Sequence, residues 1–431
     1  MIVSAPINRL VARMIVLAIS LSICAVLGLA ATSNYLVGVL TDERLPVPKG
    51  LLVSARSYFP DSARLNARLA NVELMETERD LSLAESYALR AANLSPWDYN
   101  HQLLLATIKE SAGDRAAAEV FMRKAIALAP NNADVRWRMA NLLLRQGKLA
   151  ESLEEFQRVN SSSQSYLPAT LGLLWRSTNG NADALESAIG SDPLARLVLA
   201  QFLLKQSRVQ EAGKIFRSVN RRVRLESREG PAFLHSLVDS DQIEMARYLW
   251  VDMVGRSDTP SADFTTLIWN GSFESDIFKD FDHFDWTLSS NEYARIAITS
   301  GIARTGARAL MIDFLGRDTT RLDREVKQLV LIRPGARYRL ECYAKSEDLK
   351  TPAGPRLMVM RSDETELIAE SDAVAEGTTD WHRLAVDFVA PKDSRALVIA
   401  IKRLPRFNYD DPTEGRVWFD DFMLTELKEG Q

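Results

Sequence analysis

The sequence predicts a multidomain chain, α first and then β: an N-terminal transmembrane helix, an α-solenoid of helical hairpins, and a C-terminal antiparallel β-sandwich. Three observations predict it. No charged residue occurs from Met14 to Leu40. In the middle of the chain, small and apolar residues return at a shift of 34 positions. After Pro260 the helical period gives way to alternation of apolar and polar residues, the mark of half-buried strands.

At 431 residues the chain is long for one core, so several domains are expected. With 46% hydrophobic and 26% charged residues, it can bury such cores. A net charge of -4 gives no support for a nucleic-acid surface. The run Arg221-Arg222-Val223-Arg224 reads as solvated helix end or loop. Cys24 and Cys342 lie in unrelated segments and should not pair, and the four histidines are scattered singly, so no transition-metal site is expected.

Taken in order, residues 1–13 carry Arg9 and Arg13 ahead of the apolar run at 14–40. A helix needs about 20 apolar residues to cross the hydrocarbon core. The flanking arginines then keep the N-terminus cytoplasmic and send the rest across the membrane. A cleaved signal peptide, ending near Gly28-Leu29-Ala30-Ala31, is the rival reading. Either way the body of the protein is expected to be extracytoplasmic, in the periplasm if the single-pass anchor sits in an inner membrane. Residues 41–59, with their prolines and glycine, read as a linker.

Residues 60–257 carry the repeat. Ala106, Gly113, Ala118, Met122 and Ala125 correspond to Ala140, Gly147, Ser152, Phe156 and Val159. Small residues let paired helices approach, the glycine permits the turn, and the larger residue fills the gap to the next pair. The spacing recurs at Ala200, Ser207, Ala212 and Phe216, and more loosely at Leu234, Asp241, Ala246 and Trp250. An earlier unit ends in Ala84, Ala88, Ala91 and Pro96, and 166–190 reads as a shortened helical pair. This pattern resembles the tetratricopeptide repeat, with 113–130 and 146–159 as its best copies. The resemblance implies a groove that receives a protein partner, through Asn100, Leu103, Thr107 and Glu110 and through Asp134, Trp137, Asn141 and Leu144. The basic set that clamps a terminal carboxylate in some members is missing. A simple spacer remains the alternative.

Residues 262–427 contain alternating stretches at 307–315, 324–332, 337–346, 356–362, 382–391, 396–404 and 416–424. Eight or nine short strands predict a β-sandwich, with Trp269 and Phe273 alternating around the turn that starts the first of them. IWNGSFE, TGARALMI, TTDWHRLAVDFVAP and RVWFDDFML stand in the order and spacing of galactose-binding-like jelly rolls, and look most like the carbohydrate-binding modules of xylanases and glucanases. That resemblance implies a structural calcium held near Asn270, Gly271 and Phe273 by Glu274 and Asp420. Oxygen-rich ligands suit calcium. In the competing reading Asn270 and Gly271 only form a turn, while the two carboxylates meet backbone donors. No other cofactor is expected.

Sugar recognition needs an aromatic platform beside planar polar groups. The candidates are Trp286, Tyr293, Tyr343 with Arg339 and Glu341 on its face, and Phe407 with Tyr409; Trp381 and Trp418 read as structural. No phosphate loop, nucleophile elbow or metalloprotease motif occurs, and the acidic stretch 274–285 reads as a solvated loop, so no enzyme activity is expected. The expected function is a membrane-anchored adaptor, with repeats on a protein partner and jelly roll on a carbohydrate, in bacterial envelope polysaccharide assembly or export. The alternative is a protein-only scaffold whose jelly roll has lost sugar binding.

Overall fold

The computed structural model describes residues 10–42, 44–254, 267–278, 281, 283–407 and 411–427. The chain divides into two compact units, Met1–Ala195 and Arg196–Gln431.

The first unit opens with α1 (Leu10–Thr41). Its apolar stretch Arg13–Thr41 is 29 residues long, or about 43 Å at 1.5 Å per residue, longer than a hydrocarbon core of about 30 Å. The surplus has a use: Val37 and Leu40 near its end are buried, and Leu40 joins the cluster of Leu52, Ala55, Leu65 and Leu69. Leu52 and Ala55 belong to α2 (Lys49–Tyr58), which occupies most of the expected linker. Pro48 suits the position just before a helix, where no N–H is needed. Linker composition hid a helix that packs.

Hairpins follow: α3 (Ala63–Met75) with α4 (Leu81–Leu94), α5 (Tyr99–Ser111) with α6 (Arg115–Leu128), and α7 (Ala133–Arg145) with α8 (Leu149–Ser162). A 3-10 turn at Gln164–Tyr166 leads to the short pair α9 (Leu167–Ser177) and α10 (Ala182–Ile189). Ala106, Ala118, Met122 and Ala125 and their counterparts Ala140, Ser152, Phe156 and Val159 are all buried. Gly113 and Gly147 turn each hairpin at φ +84° and +78°, where a Cβ is disfavoured. Asp80, Asp98, Asp114 and Asn132 cap α4 to α7 by accepting backbone N–H bonds, each worth about 1 kcal/mol.

In the second unit, α11 (Pro193–Lys205), which begins just before the division, pairs in sequence with α12 (Val209–Ser218), and α14 (Glu229–Asp239) with α15 (Ile243–Val254). Ser207 and Asp241 take φ +61° and +57° at the places of the repeat glycines, so the degenerate copies keep the turn after losing its residue. Between the pairs lies α13 (Arg221–Glu226). The basic run here is solvated only in part: Arg222 is exposed and pairs with Glu226, but Arg224 is buried, pairs with Asp252 at 2.7 Å and lies over Phe216, while Arg221 donates to the carbonyls of Met253 and Val254.

The sandwich has ten strands among the described residues: β1 (Thr287–Leu288), β2 (Ala294–Ser300), β3 (Arg308–Leu315), β4 (Val326–Leu331), β5 (Arg337–Lys350), β6 (Arg356–Arg361), β7 (Leu367–Glu370), β8 (Gly377–Val389), β9 (Ala396–Lys402) and β10 (Glu414–Leu427). One sheet runs β1-β4-β9-β6-β7 and the other β2-β3-β10-β5-β8, with every strand pairing among the described residues antiparallel. Inward residues such as Leu310, Ile312, Leu340, Cys342, Leu397, Ile399, Val417 and Phe419 build the core. Every residue of β9 is buried, because the outer face of its sheet is apolar too: Met358, Met360, Val398 and Ala400 form a second cluster there. Val238 on α14 and Ile243 on α15 line a cavity of about 450 Å³ with Leu329 and Val398 of that face. The last helical hairpin and the sandwich therefore share one unit.

The stretch 267–276 starts no strand. Asn270 and Phe273 have φ +50° and +58°, and the Asn270 side chain bonds Ser275 through both its N–H and its oxygen. The Phe422 N–H donates to the Gly271 carbonyl at 2.9 Å, which ties this turn to β10.

Candidate functional site

On the repeats, the expected partner-facing positions differ in access. Asn100 is exposed, and Thr107, Glu110, Asp134, Trp137, Asn141 and Leu144 are half-buried. Leu103 is corrected: it is 7% exposed and belongs to the core cluster with Ala106, Ala118 and Val135, so it has little to offer a partner. Trp137 meets Phe156 and Tyr166 at ring-centroid distances of 5.3 Å in both cases. The Thr107 hydroxyl and the Asn141 amide donate within their own helices, to Leu103 and Trp137 carbonyls. Glu110 and Asp134 are paired to Arg145 and Arg138.

Of the sugar candidates, β5 brings Arg339, Glu341 and Tyr343 onto one outward face. All three are already engaged. Arg339 forks onto Asp387 of β8 at 2.6 and 2.7 Å, and Glu341 accepts from Arg383 of the same strand. The Arg304 guanidinium lies 3.4 Å from the Tyr343 ring centroid and covers one of its faces. Lys345–Asp380 and Arg416–Glu347 continue the ion pairs on this sheet. Tyr293 sits half-buried at the start of β2 and Phe407, 60% exposed, after β9, so neither joins the β5 group. Tyr409 lies outside the described residues.

Trp286 is corrected outright. It is fully buried, 5.3 Å from Phe273 and 4.7 Å from Phe422 by ring centroids, and its indole N–H donates to the Asn270 carbonyl. Phe281 and Phe284 nearby are buried as well. The aromatic density at 276–286 is packing.

Glu274 and Asp420 share a task, the loop between β2 and β3. Glu274 Oε1 accepts the N–H groups of Ala307 and Arg308 at 2.8 and 2.9 Å. Asp420 Oδ2 accepts those of Arg304 and Thr305 at 2.8 and 3.2 Å, and its Oδ1 accepts that of Asp421 at 2.7 Å. A Cβ on Gly306 would lie 2.3 Å from Glu274 Oε1, which is why the loop carries a glycine there. Burial pushes the Asp420 carboxyl up to about 6, against the pull of these N–H donors. Calcium takes six to eight oxygens, whereas these carboxylate oxygens face N–H donors, which a cation would have to displace. Among the described residues, no group of three or more His, Cys, Asp or Glu is placed to hold a metal ion. The donor set fits a backbone clamp and does not fit calcium.

Two constellations escaped the sequence reading. Arg403 and Asp411 are both buried and paired at 2.7 Å; Arg403 also donates to the carbonyls of Thr320, Ala353 and Asp411. This pair shapes the chain between β9 and β10, where Phe407 sits. Arg247 of α15 lies over Trp250, Trp269 and Phe284 at 4.7, 5.5 and 5.6 Å, and burial lowers its pKa to about 10, so it stays charged at neutral pH. Their one signal was Arg or Asp inside apolar or turn sequence, which many surface residues share.

A tetratricopeptide-repeat family model matches residues 110–169, from the end of α5 to the start of α9, and helical hairpins flank the matched segment. No curated protein matches the sequence. Among solved structures, a MamA protein is similar at 13% identity, over 41% of this chain and 96% of that one, with a TM-score of 0.33. A structure described as CBM4 is similar at 14% identity, over 37% and 99%, with a TM-score of 0.26. The CBM22-1–GH10 modules of Clostridium thermocellum xylanase 10B, complexed with xylohexaose, are similar at 19% identity, over 37% of this chain and 28% of that one, with a TM-score of 0.25.

Proposed function

We propose that the protein is a membrane-anchored, extracytoplasmic scaffold without catalytic activity, whose helical repeats take up a segment of a protein partner in a bacterial envelope assembly. The observation that carries this reading is the division of labour on α5 and α7. Their inward residues are fully packed, while Asn100, Asn141 and Leu144 keep accessible surface that the hairpin cores do not need. On the sandwich the opposite holds: Trp286 is in the core and Arg339, Glu341 and Tyr343 are engaged on their own sheet. Anchoring rests on α1, and the orientation on Arg9 and Arg13 ahead of its uncharged run at 14–40.

The test is photo-crosslinking in the native membrane, with the reactive residue placed in turn at 100, 141 and 144 and, as control, at Ser86 on α4. One discrete protein adduct from the first three, absent from the control, is expected. Adducts of equal yield at all four positions, or none at any, would defeat the reading. A C-terminal alkaline phosphatase fusion should be active if the body is extracytoplasmic and silent if it is cytoplasmic.

A further inference from the structure

The chain that leaves α1 runs along α3 in the direction of α3 itself. Leu40 joins the cluster that holds Leu65 and Leu69, the Arg68 guanidinium donates to the Leu45 carbonyl at 3.3 Å, and Lys49 pairs with Glu73 and Glu76 at 2.8 and 2.7 Å. α1 therefore arrives at the N-terminal end of α3, the edge of the repeats where the loops 59–62 and 95–98 lie. Arg90 of α4 reaches Asp61 at 2.5 Å and ties the two loops together. Each has an exposed aromatic near a proline: Tyr58, 80% exposed, precedes Phe59-Pro60, and Trp97, 84% exposed, follows Pro96. Trp97 is the one exposed tryptophan of the eight, and it makes no hydrogen bond or ring contact among the described residues. The turn does not require it. At the shift of 34, Asn131 stands in its place after Pro130, and Asn132 caps α7 as Asp98 caps α5.

Length sets the height of this edge. A hydrocarbon core of about 30 Å takes about 20 residues of helix, which from Met14 reaches Ser33. Val37, the first buried residue along 13–41, comes four residues later, a rise of about 6 Å. The headgroup layer adds about 5–7 Å on each side of the core, so the repeats begin inside it. We propose that the edge formed by the loops 59–62 and 95–98 rests on the lipid surface from which α1 emerges, with Trp97 and Tyr58 as interfacial anchors beside the exposed Tyr35 of α1; the proposal builds on the reading of α1 as a membrane anchor. Such rings put an apolar body into the acyl boundary and keep the indole N–H or hydroxyl among headgroups and water. Charge at the edge is balanced, with Asp61 on Arg90 and Asp98 on the N-terminus of α5, so zwitterionic lipid suffices. The loop at 129–132, one repeat farther from α1, has no aromatic. Contacts on two loops besides α1 stop the repeats from swivelling about a single helix.

The test is fluorescence quenching on the full chain reconstituted into phosphatidylcholine vesicles, with the spectrum of Trp97→Phe subtracted from that of wild type to isolate Trp97. Lipids brominated near the headgroup end of the acyl chain should remove most of the Trp97 emission, and lipids brominated at the chain end little of it. The control is a tryptophan placed at the exposed Met75 in the Trp97→Phe chain, at the other end of α3. It should behave in reverse, open to aqueous acrylamide and untouched by bromine. Trp97→Asn, which copies the next repeat, should melt at the wild-type temperature. Trp97 emission that acrylamide removes and bromine does not overturns the proposal and leaves the loop facing water or a protein. So does equal bromine quenching at 75 and 97, or a clear fall in melting temperature in Trp97→Asn, which would make the ring part of the fold. Alkaline extraction of the chain from the vesicles defeats the anchor and this contact together, whereas a retained chain with unquenched Trp97 defeats the contact alone.

Discussion

At the residue scale, Trp286 and Asp420 separate what a residue type suggests from what its surroundings impose. Removing the Trp286 ring should leave a cavity between Phe273 and Phe422, so Trp286→Ala is expected to cost about 3–5 kcal/mol. Denaturant unfolding of the full chain measures it; a change under about 1 kcal/mol would mean the ring is not in the core. For Asp420 the sign follows from the carboxyl's position at about 6, above the roughly 3.9 of an unfolded aspartate. The folded chain holds this proton more tightly, so the group's contribution is full below about pH 4 and is lost as pH rises through 6. The stability of wild type minus that of Asp420→Asn should fall by on the order of 2–3 kcal/mol between about pH 3.5 and 7. A flat difference would mean Asp420 titrates normally. The clamp also predicts that millimolar calcium and a chelator leave the melting temperature unchanged, whereas a rise of several degrees with calcium would place a cation among these carboxylates. The competing roles of Glu274 and Asp420 were both legible in the sequence. The place of Trp286 was not, because 276–286 has neither helical nor strand period to separate inside from outside.

At the element scale, legibility followed period. β5, β9 and β10 were read from their sequences because long stretches alternate or run apolar, and the 34-residue shift fixed the turns at Gly113 and Gly147. β2 and β7 were missed: they are edge strands, half-exposed along their length, so burial imposes no strong pattern on them. α2 was missed because its ten residues follow two prolines and bury only Leu52 and Ala55. What alternation cannot tell is whether a sheet's outer face meets water. β9 is buried on both sides, and β5 carries charge outward. The two sheets should therefore respond unequally to substitution on their outer faces. Val398→Asp, placing a charge into the cluster with Met358, Met360 and Ala400, is expected to cost more than about 3 kcal/mol. Arg383→Ala, which breaks a solvent-exposed pair with Glu341, should cost under about 1 kcal/mol. Equal costs in the two variants would contradict the covered face.

At the scale of the whole molecule, a change of period in the sequence need not be a boundary in the fold. Helix gives way to strand near residue 260, yet the compact units divide at 195 and 196. The reason lies in the side chains: Trp250 of α15 meets Trp269 at 4.6 Å and Phe284 at 6.0 Å, and Arg247 reaches over all three rings. These contacts join residues near in sequence but in different classes of structure, and no periodicity records them. It follows that a sandwich cut at 260 loses the helices that line its outer sheet and exposes Met358, Met360, Val398 and Ala400 together. Contiguous apolar surface of that kind drives association. A fragment of residues 260–431 should therefore aggregate or bind a hydrophobic dye, while one of residues 191–431 should be monodisperse and melt in a single cooperative step. Size-exclusion chromatography with calorimetry on the two fragments decides it. If 260–431 alone is monodisperse and melts at the temperature of the longer fragment, the last helical hairpin is an ornament on an independent domain.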